Sequence, residues 1–438
     1  MAEERTEDEG TGAVRRSGSM SAGPQPGRPA DRPIAVVGIG ADGWGGLGET
    51  SRNAIADAEV VFGSARQLGL VPAEVTGPRR VGWPTPLLPA LPELLGAHRD
   101  SRLCVLASGD PMYYGIGVTL AKLLGPQALR VLPQPSSVSL ACARLGWGLA
   151  DTPVVSLVGR PPETVLPELA DRRRILVLSA DEGTPARLAE LLARNGFGGS
   201  GLTVLEQLGG PGERMYGGVA GTWSAPPGDP LNIVAVDGAA DPESVRLTRI
   251  PGLPDTAYGG DGQLTKAEVR ALALSALAPA PGELLWDVGG GSGTIAIEWC
   301  RTHPSCRAVV FERSEARRRQ IAENAAALGV PGIDVRGEVL TALRAAESRA
   351  GESSAPDAIF LGGGLTQPGV FETCWARLRS GGRLVADAVT AESEAMLLGW
   401  AAAHGGALRR IQIHRAEPLG GFTTWRPHLP VAQWSVTK

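Results

Sequence analysis

The chain has 438 residues, of which 43% are hydrophobic and 20% charged, with a formal net charge of -4. This is an ordinary soluble globular composition, long enough for two or three domains of roughly 100–200 residues each. The charge balance argues against a nucleic-acid binder, which shows a basic domain or stripe, and no run of about 18 apolar residues offers a membrane span.

Residues 1–32 are rich in Gly, Ser, Pro, Glu and Arg and lack an apolar h-region. They read as a disordered tail, not a signal peptide. The five cysteines, Cys104, Cys142, Cys300, Cys306 and Cys374, are scattered and form no CxxC pair. That fits a reducing cytoplasm, with neither a disulfide framework nor a zinc site. The five histidines show no metal-ligand spacing, so no metal is expected. Lys122, Lys266 and Lys438 are the only lysines. Arginine suits a polycarboxylate ligand through its planar fork. The accompanying excess of Ala, Gly and Pro points more simply to a compositional bias.

From residue 33 to 238, apolar runs alternate with helical patterns. The runs lie at 34–37, 60–62, 103–107, 154–157, 175–178, 202–205 and 233–236, an α/β signature. Gly38-Ile39-Gly40-Ala41-Asp42-Gly43 formally matches GxGxxG after the first run. A dinucleotide site needs a helix N-terminus directly at the glycines. Here Trp44-Gly45-Gly46-Leu47-Gly48 intervenes, and a helix is expected only near Glu49. Further on, the 103–107 strand ends in Ser108-Gly109-Asp110-Pro111, a turn whose backbone and Asp110 carboxylate can face a ligand. An ordinary Asp-Pro turn before a helix is the alternative.

Residues 239–261 are rich in Asp, Pro and Gly without periodicity and read as a linker. A helix is expected over 265–277, with Thr265 as N-cap and Glu268 three residues on, a capping-box pattern. Strands are expected at 284–288, 308–311, 358–361, 383–386 and 410–414. Between the first two lies Asp287-Val288-Gly289-Gly290-Gly291-Ser292-Gly293, then an amphipathic helix over 294–301, and the second strand ends in Glu312. Glycines let backbone approach a ligand closely. An acid at the end of the next strand can accept both ribose hydroxyl protons. The unit reads as a nucleoside site, and its DxGGGxG form resembles the first motif of Rossmann-like S-adenosylmethionine (SAM) methyltransferases.

Two wider resemblances extend this reading. VVGIGADG, SGDPMYYG, LPQPSSVSLACARLG (132–146), TVLEQLG (203–209) and LNIVAV (231–236) together resemble the tetrapyrrole methylase family, over most of 33–238. Within it they look like the cobalt-precorrin carbon-5 methylase subunit. Leu253-Pro254-Asp255, QLTKAEVR (263–270), the DVGGGSG turn, FLGGG (360–364) and GGRLVADAVT (381–390) resemble the precorrin carbon-15 methylase and decarboxylase subunit, over 253–438. This narrows the linker to 239–252. The fusion resembles the precorrin-6Y C5,C15-methyltransferase (decarboxylating) family of cobalamin biosynthesis. The resemblance implies a tetrapyrrole-methylase fold of two α/β subdomains followed by a Rossmann-like methyltransferase domain. It implies SAM as cofactor, a small-molecule precorrin substrate, and methylation at carbons 5 and 15 with loss of the ring C acetate carboxylate. Whether that substrate is metal-free or holds cobalt, and whether the chain forms a homo-oligomer, stay open.

The same motifs supply the site residues. In the first half the cofactor candidates are Gly40, Gly109, Asp110, Tyr113, Ser136 and Ser137. In the second they are Thr265, Asp287, Gly289, Gly290, Gly291, Ser292, Gly293, Glu312 and Val339, the last flanking adenine. Asp287 has an equal alternative as a strand-end hydrogen-bonding group. Gly362, Gly363 and Gly364 are expected to border the substrate cleft. No catalytic acid is assigned. A nicotinamide oxidoreductase using the Gly38 turn and a non-catalytic tetrapyrrole scaffold remain as alternatives.

Overall fold

The computed structural model describes residues 32–260, 262–347 and 355–438. The tail expected over 1–32 lies outside them except for Arg32, and so does Asp261. Among the described residues no helix is long and apolar enough to cross a membrane. By compactness the chain divides into residues 1–136 and 137–438.

The first unit holds one fully parallel sheet. Its strands are β1 (Ile34–Ile39), β2 (Val60–Gly63), β3 (Arg79–Gly82), β4 (Leu103–Ser108) and β5 (Leu129–Leu132), in the order β3-β2-β4-β1-β5. β1 and β4 are central and almost wholly buried, which is why they read as continuous apolar runs. The α-helix after β1 starts at Glu49, behind a 3-10 turn over Gly43–Gly46, as the interrupted glycine motif predicts.

The second unit holds a five-stranded and a seven-stranded sheet. The first contains β6 (Val154–Ser156), β7 (Arg174–Leu178), β8 (Gly201–Glu206), β9 (Arg214–Val219) and β10 (Asn232–Asp237), ordered β6-β7-β10-β8-β9 and mostly antiparallel. The other contains β11 (Leu284–Val288), β12 (Arg307–Phe311), β13 (Asp334–Arg336), β14 (Ala358–Leu361), β15 (Arg383–Ala388), β16 (Ala407–Ile411) and β19 (Val431–Thr437). Their order is β13-β12-β11-β14-β15-β19-β16. The first five are parallel, and β19 runs antiparallel to both neighbours. Between β16 and β19 the chain forms a separate hairpin of β17 (His414–Leu419) and β18 (Phe422–Pro427). The strand order reverses at β11 and β14, which makes a crevice at their carboxyl ends the expected ligand position.

Two sequence expectations are corrected. The helix expected from Thr265 begins at Ala267, with Lys266 as N-cap and no side-chain cap. Thr265 instead belongs to a strap whose carbonyl oxygens accept from Arg270. The strand expected over 410–414 is two strands. β16 ends at Ile411, and Gln412 and Ile413 turn away by bonding to His428, through Gln412 Nε2 to the His428 carbonyl (2.6 Å) and the His428 N–H to the Ile413 carbonyl (2.8 Å).

Candidate functional site

The largest constellation of expected residues surrounds one cavity of about 600 Å³ at the carboxyl ends of β11, β14 and β15. Thr265, Asp287, Gly289, Gly290, Gly291, Ser292 and Gly362 line it. The β11 run Leu-Leu-Trp-Asp-Val is buried at every position. The turn after it places the glycines at the carboxyl end of the sheet, and the helix Thr294–Thr302 starts at once behind Gly293.

Each glycine in the turn has a distinct task. Gly289 has φ +76, and a Cβ there would stand 2.6 Å from the backbone of Gly363, so the turns after β11 and β14 touch backbone to backbone. Gly291 has φ +57, and a Cβ there would meet nothing nearer than the Gln263 and Gly289 carbonyl oxygens at 4.0 Å; it lines the cavity. Gly290 and Gly293 are packed against Val310 and Ile321 and serve the turn from behind. Gly293, Glu312, Val339, Gly363 and Gly364 are not in the cavity wall. Gly363 supports Gly289, Gly364 continues the same turn with φ +75, and Val339 heads the helix Val339–Glu347, buried in the core.

Glu312 is buried just beyond β12. Its carboxylate accepts from the Gly291 N–H (3.0 Å) and the Ser314 N–H (2.8 Å). The acid is thereby fixed to the glycine turn that it was expected to accompany. Asp287 is 1% exposed, and its Oδ2 accepts from the Ala296 N–H (3.2 Å). Burial pushes its carboxyl up to about 7; the Ala296 N–H opposes that shift, and the Glu312 charge adds to it. The strand-end hydrogen bond is therefore present in the structure, and Asp287 lies in the cavity lining although it is almost wholly buried.

A strap over 252–260 and 262–265 closes one side. It is held by a buried ion pair, Arg270 to Glu298 at 2.6 Å. Glu298 also accepts from the N–H groups of Gly252 (2.6 Å) and Leu253 (3.0 Å) and from the Tyr258 hydroxyl (2.8 Å). Asn324 pins the strap to the glycine turn, donating to the carbonyls of Gly259 and Ser292. A further part of the wall comes from Ile411, Ile413, Arg415, His428, Leu429 and Val431. Arg415 donates through one nitrogen, Nη2, to both Glu268 carboxylate oxygens, at 2.9 and 3.0 Å. Sequence reasoning missed this wall, the Arg270–Glu298 pair and Asp387, which also lines the cavity. The one available signal was Asp387 itself, a carboxylate inside an apolar strand.

The first-half candidates fall on both compact units, because the division lies between Ser136 and Ser137. Gly40, Gly109, Asp110, Tyr113 and Ser136 belong to the first unit, and Ser137 begins the helix Ser137–Leu145 of the second. Within the first unit the loop ends after β1, β4 and β5 converge. The Gly109 N–H donates to the Ile39 carbonyl (3.2 Å), and the Gln134 N–H donates to the Gly109 carbonyl (3.2 Å). Asp110 Oδ1 accepts from the Met112 N–H (2.8 Å), an Asp-Pro turn, with Tyr113 39% exposed beside it. Among the described residues no group of three or more His, Cys, Asp or Glu is arranged to hold a metal ion.

Comparison with known proteins divides the chain at a different place, between residues 223 and 256. Residues 33–223 match the tetrapyrrole (corrin/porphyrin) methylases, and residues 256–438 match the precorrin methyltransferase domain. A Mycobacterium tuberculosis protein named precorrin-6Y C(5,15)-methyltransferase [decarboxylating] is 52% identical over 92% of this chain and 100% of its own length. Two shorter Salmonella typhimurium proteins match in part. A cobalt-precorrin-7 C(5)-methyltransferase is 31% identical, covering 42% of this chain and 89% of that protein. A cobalt-precorrin-6B C(15)-methyltransferase (decarboxylating) is 32% identical, covering 40% of this chain and 88% of that protein.

Proposed function

The chain belongs to the precorrin-6Y C(5,15)-methyltransferase (decarboxylating) family. On that premise we propose that it carries out two SAM-dependent methylations of a precorrin, at carbons 5 and 15, and removes a carboxyl group as carbon dioxide. Residues 33–238 carry the carbon-5 transfer. Residues 253–438 carry the carbon-15 transfer and the decarboxylation, and 239–252 link them. The protein works in the cytoplasm, and its five buried free cysteines suit a reducing compartment.

The observation that carries this reading is the cavity at the β11/β14 crevice, walled by the glycine turn. The residues there fit SAM. Gly291 presents backbone without a side chain to the cavity that it lines, and a Cβ there would have only carbonyl oxygens at 4.0 Å as neighbours. Thr265, Asp287 and Gly289–Gly293 would hold the methionyl and ribose portion, Glu312 the ribose hydroxyls, and Val339 would flank the adenine. Gly362, Gly363 and Gly364 would border the tetrapyrrole. In the first half, Gly40, Gly109, Asp110, Tyr113, Ser136 and Ser137 would hold the second cofactor molecule.

SAM, when bound, supplies a methyl already electrophilic on its sulfonium. What the chain must add is alignment and exclusion of water. The strap pinned by Asn324 and Arg270, and the wall from Ile411 to Val431, supply both on the carbon-15 side. Lys266, Arg317 and Arg415 line the same cavity and suit a substrate edged with carboxylates. The nucleophile is an electron-rich carbon of the macrocycle, so no Ser-His-Asp or Cys-His set is called for.

Mass spectrometry of the product from a precorrin-6-type substrate and SAM tests the reading. Two methyl groups gained and one carbon dioxide lost are expected. A substrate returned without methylation would refute it.

A further inference from the structure

We propose that Arg415 is the residue that grips the tetrapyrrole at the carbon-15 cavity. It does so through a carboxylate arm that the reaction leaves in place, and Glu268 holds its guanidinium in position. The assignment rests on the functional reading above and takes it from a substrate class to a substrate-binding residue.

Every second residue from Ile411 to Arg415 lines the cavity. Ile411, Ile413 and Arg415 are half-buried, whereas Gln412 and His414 between them are exposed. That alternation is the period of extended chain, so the segment from the end of β16 into β17 gives one face, two isoleucines and an arginine, to the cavity. The backbone of Arg415 is fixed by pairing with Arg426 across the hairpin. Its Nη2 donates to both oxygens of Glu268, in the first turn of the helix Ala267–Leu277. The Glu268 N–H and Arg415 hold that carboxyl below its ordinary range, against partial burial, so it stays charged at neutral pH. A guanidinium carries five N–H donors in a fixed fork. Glu268 engages Nη2 alone, and among the described residues Nε and Nη1 make no hydrogen bond.

The side chains of Arg415 and Glu268 are 41% and 48% exposed, and a pair so exposed contributes little to stability. Its consequence is orientation: a tethered arginine with donors left over beside a ligand cavity. The other lining cations are bonded to the strap. Lys266 Nζ donates to the Gly262 carbonyl (3.4 Å) and lies 3.8 Å from Asp255, and Arg317 Nη2 donates to Gln263 Oε1 (2.7 Å). Asp287 and Ser292 at the glycine turn are almost wholly buried, which suits SAM. The macrocycle, larger and edged with carboxylates, has to enter where the lining is open to solvent, and Arg415 stands there.

The chemistry selects which arm is held. Loss of carbon dioxide moves negative charge from the carboxylate onto the carbon that it leaves. A guanidinium paired with that carboxylate would stabilise the charge where it starts and oppose its movement. Arg415 therefore holds a retained arm and acts on binding, not on the bond that breaks.

The test is Arg415→Ala in the full chain, with SAM and a precorrin-6-type substrate. Loss of one contact to a charged group should raise the KM for the tetrapyrrole, read from carbon dioxide release, by roughly ten- to a hundredfold. At saturating substrate kcat should fall by less than about threefold, and SAM affinity at the carbon-15 site should stay within about twofold of wild type. Arg415→Lys keeps the charge without the fork and should give an intermediate KM; it carries the test alone if Arg415→Ala does not fold. Glu268→Gln should raise KM by a smaller factor, and combining it with Arg415→Ala should add nothing further, because its effect passes through the arginine. An unchanged KM in both Arg415 variants would overturn the assignment. Weaker SAM binding with an unchanged tetrapyrrole KM would also overturn it and place Arg415 at the methionyl carboxylate. Joint loss of SAM binding and kcat would mark a structural residue and equally overturn it. If the wild-type chain run in parallel neither methylates nor decarboxylates, the functional reading fails and this assignment falls with it.

Discussion

Two of the glycine-rich turns that follow central parallel strands are Gly38–Gly43 after β1 and Gly289–Gly293 after β11. As a string of letters, the first fits a nucleotide fingerprint as well as the second does. In the fold they differ. After the first, a 3-10 turn intervenes and the helix waits until Glu49. A Cβ on Gly38 would stand 1.9 Å from the Gly109 carbonyl oxygen, so that glycine lets two loops of the sheet edge touch. After the second, the helix begins immediately, and Gly291 opens onto a cavity. A glycine motif thus takes its meaning from the element directly behind it and from which of its sides is empty.

Substitutions can break this contrast. The largest effect is expected from Gly291→Arg. The φ of +57 disfavours a side chain, and an arginine would fill the cavity. Binding at the carbon-15 site, carbon-15 methylation and decarboxylation should all be lost, with carbon-5 methylation retained, as read by product mass spectrometry. Next is Glu312→Ala. Hydrogen bonds to a charged group contribute about 1.5–3 kcal/mol each, and about 1.4 kcal/mol is tenfold in affinity. SAM should bind the carbon-15 site roughly ten- to a hundredfold more weakly with the fold intact; unchanged affinity by calorimetry would remove Glu312 from the site. Smaller still are effects at the first turn. Gly38→Ala forces backbone apart and should cost about 1–3 kcal/mol of stability in denaturant titration. Gly45→Ala meets nothing within 4 Å and should stay within about 0.5 kcal/mol.

The same contrast explains what the sequence discloses. The second turn is local: strand, glycines, helix, strand and acid fall within residues 284–312, so its chemistry is readable in one window. Central strands such as β1, β4, β11 and β14 are buried on both faces and announce themselves as apolar runs. Of the strands that escaped, β3, β5, β9 and β13 are all sheet edges. β9 is exposed at nearly every position, so it has no need of an apolar run. The cavity wall at 411–431 is far in sequence from the glycines that line the same cavity, and its isoleucines, leucine and valine form no motif. β19 escaped because Gln433 and Ser435 interrupt its apolar pattern. Gln433 donates to Asp387 of the cavity lining, so that polar contact lies where periodicity is weakest.

The central claim is that one chain holds two independent SAM sites, and equilibrium titration of the full-length protein with SAM tests it most directly. Calorimetry should give a stoichiometry near two for the wild-type chain, falling to one in Gly291→Arg. A wild-type stoichiometry of one that falls to zero in Gly291→Arg would contradict the account.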